Sequence, residues 1–161
     1  MQKILKIGLF GLLLSAYSLC FAQVFSHPVI DRLIAQNSEP EGIVFELVAY
    51  DRHAWSWAAP KISQLSAQLK AKYPKVDIAI ISHGNEQFQL SVKNAKKNQH
   101  STALLSKLVK DGVDIYVCGV NSLWNNVPEN SYIEEVSVAT SGPAKINDYI
   151  NLGYTLIKLN K

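Results

Sequence analysis

Cysteine is nearly missing from this chain, which has only Cys20 and Cys118 in 161 residues. One of the two falls in a segment that reads as removable. Met1 to Lys6 carries two lysines, Ile7 to Phe21 is an uncharged apolar run, and Cys20-Phe21-Ala22 gives a small-x-small site before Gln23. That is the layout of a secretory signal peptide, with an apolar core short for a membrane span. Cleavage is expected after Ala22, giving a periplasmic or secreted protein of 139 residues with no membrane attachment, the alternative being a retained N-terminal anchor. Leu19 before Cys20 argues against lipid attachment there. Cys118 is then alone, so an internal disulfide is excluded. A lone thiol in an oxidising compartment is buried and inert, paired between chains, or kept for its reactivity.

Other absences narrow the function further. There is no GxGxxG, no P-loop, no GxSxG elbow, no HExxH and no CxxC. Nucleotide cofactors, serine hydrolysis, zinc proteolysis and thioredoxin-type exchange lose their usual signatures, and no metal or cofactor is called for. Strong charge is lacking too. Without Lys3 and Lys6 the 16 basic residues fall to 14 against 13 acidic ones, a net charge of +1. Lys93, Lys96 and Lys97 form the only basic cluster, with no aromatics between them, so nucleic acid is not an expected partner.

What is present is an alternation of strands and helices. Residues 1–22 are the leader, 23–41 an N-terminal arm with one helical turn near Ile30 to Ala35, and 42–161 a single α/β domain. Five β-rich runs follow in order: Ile43–Tyr50, Val76–Ser82, Val113–Cys118, a weaker one within Tyr132–Ala139, and Tyr154–Leu159. Between them, Pro60 is placed to open a helix carrying Ile62, Leu65 and Leu69. A second helix carries Leu104, Leu105, Leu108 and Val109 up to Gly112, and a third runs from Gly142-Pro143 to Gly153. Phe88 to Lys93 fits a short helix or a strand, and Asn121 to Asn126 a single helical turn. Strands separated by helices of this length predict right-handed crossovers. The expected fold is a three-layer α/β/α sandwich with a mostly parallel five-stranded sheet, flavodoxin- or Rossmann-like. Strand order stays open.

Working groups of such sheets gather beyond the carboxyl ends of the strands. The first strand leads to Asp51-Arg52-His53, Trp55 and Trp57, and the second to Ser82-His83-Gly84-Asn85-Glu86. The third leads to Cys118-Gly119-Val120-Asn121-Ser122, and the fourth to Thr140-Ser141-Gly142. Cys118 is the candidate nucleophile, because free amides of a helical turn near Asn121 would favour thiolate. The bland alternative is a small buried hydrophobe. His83 is the candidate acid/base or orienting group. Gly84, Asn85, Gly119, Asn121 and Ser122 are candidate ligand-binding residues, with turn chemistry as their alternative explanation. Trp55 and Trp57 wall a pocket or staple the first helix.

Three segments, Val76–Gly84, Asp111–Gly119 and Asn151–Tyr154, taken in this order and spacing, resemble the DsrE/DsrF-like family. The resemblance runs from about Gly42 to Leu159. It implies a five-stranded α/β sandwich assembling as a homotrimer or hexamer. In the sulfur-relay branch of that family a cysteine at the end of the matching strand carries a persulfide, and Cys118 falls on that position. The implied function is binding or transfer of sulfane sulfur, with a sulfur donor or acceptor protein as partner. Two departures stand out. Relay members are cytoplasmic, whereas this chain carries an export pattern, and their arginine-containing loop is replaced by Asn121-Ser122-Leu123-Trp124-Asn125. The alternative function is a non-catalytic oligomeric module that binds a small ligand or protein, with Cys118 structural.

Overall fold

The computed structural model describes residues 24–161. The expected leader, Met1 to Ala22, lies outside them. Five strands form one parallel sheet: β1 (Ile43–Leu47), β2 (Ile78–Ser82), β3 (Val113–Cys118), β4 (Ser137–Ala139) and β5 (Thr155–Leu159), in the spatial order β4-β3-β2-β1-β5. Among the described residues six α-helices accompany them: α1 (Pro28–Ala35), α2 (Trp55–Lys72), α3 (Val92–Ala95), α4 (Gln99–Lys110), α5 (Gly119–Trp124) and α6 (Gly142–Asn151).

The order dictates the layers. From β1 to β4 the chain steps steadily in one direction, so right-handed crossovers put α2, α4 and α5 on one face. From β4 it returns across the whole sheet to β5, and the same handedness puts α6 on the other face. Alternation along each strand then divides the core. Phe45, Leu47, Ile80, Ile115, Val117 and Ile157 join α1, α2 and α4 in the larger cluster. Val44, Ala79 and Ile81 meet Ile146 and Tyr149 of α6 in the smaller one. Burial pushes the Tyr149 phenol well above its usual range, with Tyr116 adding to the effect.

The α/β/α sandwich expected from the sequence is the one observed, with local differences. β1 stops at Leu47 rather than Tyr50, so Asp51 to His53 belong to a loop. α2 starts at Trp55, leaving Pro60 inside it. Trp55 accounts for the early start: it is fully buried and docks on the large core, walling no cleft. Phe88 to Lys93 is neither strand nor one helix. Asn85–Leu90 is a 3-10 segment and α3 follows. The arm holds two turns of helix on its own domain, and Tyr73 Oη donates to Leu33 O at 2.7 Å. Gly112 and Gly153, at φ 79° and 88°, end α4 and α6 in the left-handed conformation that glycine adopts freely.

Leu65 of α2 is fully buried and Leu123 of α5 is 75% exposed. Leu65→Ala is expected to lower the unfolding free energy in urea by about 2–5 kcal/mol. Leu123→Ala should stay within about 0.5 kcal/mol of wild type.

Candidate functional site

β3 sends its chain to α5 on one face, whereas its neighbour β4 sends its chain to α6 on the other. The crevice of an open parallel sheet forms where adjacent connections part in this way. Cys118 ends β3 at that point, paired with Ala139 of β4.

Along β3, Asp114, Tyr116 and Cys118 alternate onto the α6 side. On β2, Ala79 and Ile81 share that face, and His83, the next residue in the alternation, stands beside Cys118. Gly142, the first residue of α6, packs on both: a Cβ there would lie 2.5 Å from His83 Cβ and 3.3 Å from Cys118 Cβ. His83 Nε2 meets Glu46 Oε1 at 2.9 Å, and Lys158 Nζ approaches Glu46 Oε2 at 3.5 Å. Thiol, imidazole and carboxylate therefore follow one another across β3, β2 and β1. The His83 and Glu46 side chains keep 14% and 17% of their surface exposed. Cys118 keeps 5%.

The backbone of Cys118 is held by a side chain. The β2–β3 ladder ends at Ser82 and Val117, one residue short of Cys118. Gln87 takes the vacant place: its Oε1 accepts from Cys118 N at 3.0 Å, and its Nε2 donates to Cys118 O at 3.1 Å. The same Nε2 donates to Ser122 Oγ and Tyr132 Oη, while Ser122 Oγ donates to Cys118 O at 2.9 Å. Burial raises the pKa of Tyr132, which keeps its hydroxyl proton for this network. Neighbouring Glu86, fully buried, accepts from Ser82 Oγ, Gly84 N and Ala49 N at 2.7–2.9 Å. Three donors compensate a buried carboxylate that would otherwise be costly.

The residues singled out from sequence separate into groups. Cys118 and His83 come together. Gly84 has no room for a side chain against Glu86 and Ala49. Asn85 anchors its turn through its N–H on Ala49 O at 2.8 Å. Asn121 Nδ2 ties that turn to α5 through Gly84 O at 2.9 Å. Gly119 and Ser122 line a cavity of about 350 Å³ beside Thr140. The amides after Cys118 are not all free for its sulfur, since Val120 N–H is taken by Thr140 O at 3.1 Å and no side-chain cap bond is made by Cys118. The helix start in contact with the Cys118 side chain belongs to α6. Glu86 and Gly142 were placed at the strand ends from sequence but given no role, and Glu46 and Gln87 were passed over. Glu46 had a signal: a lone carboxylate in an apolar strand needs a buried partner.

The profile of the DsrE/DsrF-like family matches residues 44–159. The chain belongs to the DsrE/DsrF-like family. No curated protein matches it. Among solved structures, the protein of unknown function MTH1491 from Methanobacterium thermoautotrophicum superposes with a TM-score of 0.59 at 19% identity, over 73% of this chain and 97% of that one. The conserved protein of unknown function BT1422 from Bacteroides thetaiotaomicron gives 0.49 at 12% identity, over 74% and 95%. The first likeness supports the DsrE-like fold. Among the described residues no helix is long and apolar enough to cross a membrane.

Gln87→Leu would leave the Cys118 N–H and C=O, Ser122 and Tyr132 without their shared partner. It should cost about 2–4 kcal/mol in urea unfolding. Gly142→Ala, forced against His83 Cβ, should broaden or shift the His83 and Cys118 resonances in NMR spectra, and unchanged spectra would contradict the packing described.

Proposed function

We propose that this DsrE/DsrF-like protein is an exported carrier of sulfane sulfur, with Cys118 as the sulfur-bearing residue and His83, oriented by Glu46, as its acid/base partner. The observation that carries this reading is the Cys118–His83–Glu46 line across three adjacent strands at the sheet's switch point. Glu46 on Nε2 orients the ring, and an oriented imidazole next to a thiol is the arrangement that activates a sulfur nucleophile. The α6 start, packed on the same side chain, sets the positive end of a helix dipole near sulfur that becomes anionic.

The transfer is a simple exchange. His83 takes the thiol proton, and the Cys118 sulfur attacks the outer sulfur of a donor persulfide, R–S–SH. The donor S–S bond breaks, the thiolate RS⁻ leaves and takes up a proton, and Cys118 carries the new S–S bond. No external oxidant is needed. Burial of Cys118 would shield the product from reductants and from further oxidation. Transfer to an acceptor reverses these steps.

Two further elements complete the reading. The leader pattern from Met1 to Ala22 supports export to the periplasm or beyond. A homo-oligomer, a trimer or hexamer, is supported by apolar residues on the singly covered face: Ile150 is 42% and Leu152 66% exposed. The 5% exposure of Cys118 favours one rival, a ligand- or protein-binding oligomer in which the thiol only packs.

Treatment with inorganic polysulfide should add sulfur that peptide mapping places on Cys118, and Cys118→Ser should not take it up. His83→Ala should slow loading by about a hundredfold while leaving the fold intact. Equal loading of wild type and Cys118→Ser would rule out the carrier role. Protein recovered from outside the cytoplasm should begin at Gln23; an intact Met1 terminus there would contradict the processing.

A further inference from the structure

A second site lies on the opposite face of the sheet from the Cys118 side chain and does not depend on the sulfur reading. The loop after β1 and the start of α4 enclose a cavity of about 400 Å³. Arg52, His53 and Lys97 line it together with the amide side chains of Asn94, Asn98 and Gln89, and no lining residue is acidic. The Arg52 guanidinium is held 5.8 Å above the Phe88 ring, which also forms part of the wall.

Gln89 supplies the second, independent observation. It is only 4% exposed, and its Nε2 is buried without a hydrogen-bond partner. Its Oε1 accepts from Trp55 N at 3.2 Å. That bond fixes the amide orientation, because a flip would set N–H against N–H. Nε2 therefore keeps both protons without an acceptor in the protein, and Gln89 is one of the residues lining the cavity. Asn98, the N-cap of α4, makes no side-chain cap bond and donates its Nδ2 to Asn94 O at 2.9 Å instead. The positive end of a 12-residue helix thus stands at the same cavity.

We propose that this cavity binds a small oxyanion-bearing molecule, with its carboxylate or phosphate on Arg52 and Lys97 and a further oxygen accepting from Gln89 Nε2. Arg52 offers a planar fork that matches either head group, and Lys97 adds a second positive charge. Both are exposed at the rim, so they are free to meet solute without a change of fold. The acceptor that Gln89 lacks inside the protein is the one an oxyanion provides.

Titration calorimetry on the purified protein tests this with inorganic phosphate and with citrate, each against chloride at matched ionic strength. One site per chain is expected for at least one of the two probes, and which probe binds distinguishes a phosphate from a carboxylate preference. Arg52→Gln should weaken that binding about tenfold or more. Gln89→Glu keeps an acceptor for Trp55 N–H but sets a carboxylate against the ligand, so it should abolish binding; far-ultraviolet circular dichroism shows whether the fold survives. Lys97→Gln, an exposed change, serves where Gln89→Glu unfolds the chain, and should weaken binding severalfold. Absence of heat beyond chloride for both probes, or binding unchanged in Arg52→Gln, overturns the proposal.

Discussion

One side-chain amide holds the end of β3 in place. β2 turns away at His83 while β3 continues one residue further, which would leave the N–H of Cys118 buried and unpaired and its C=O with Ser122 Oγ alone. Gln87 meets both groups with a single amide, as a neighbouring strand's peptide unit would. Because its Nε2 also reaches Ser122 and Tyr132, the same contact fixes the start of α5 and the loop leading to β4. The direction of the thiol follows from this constraint. With the backbone of Cys118 held on the Gln87 side and paired to β4 on the other, its side chain must project toward α6 and His83.

The Glu46 position follows from the sheet in the same way. A carboxylate in the middle of a parallel strand is unfavourable unless something compensates it, and His83 with Lys158 does so from the two flanking strands. Replacing Glu46 by a hydrocarbon would suit the core better, so the strand tolerates a polar group where the imidazole needs orienting. Gly142 completes the arrangement by bringing the first turn of α6 close enough to cover both His83 and Cys118.

Much of the fold was legible in the sequence because its strands are continuous apolar runs and its helices end on Gly112 and Gly153, where only glycine suits the positive φ. The polar scaffold was not legible. Glu86, Gln87 and Gln89 all lie in Asn85–Leu90 and are buried to within 4%, yet hydrophobic periodicity counts such residues as outward-facing. That is why Phe88 to Lys93 fitted a short helix as well as a strand. The Cys118–His83–Glu46 line was hidden for another reason: it depends on β1, β2 and β3 lying side by side, and strand order is a property of the whole sheet. The early start of α2 was missed because proline marks first turns so often that the burial of Trp55 upstream was outweighed.

The two faces of the sheet thus support two different chemistries, a thiol with an oriented imidazole on the α6 side and a cationic, amide-lined cavity near α4. The proposed carrier role requires the sulfur of Cys118 to receive a second sulfur atom beside His83. A crystal structure of the protein after exposure to polysulfide tests it directly. Added density on Cys118 Sγ within hydrogen-bond reach of the His83 ring is the expected result. A bare thiol in fully treated crystals, with Gln87 and His83 in place, would contradict it.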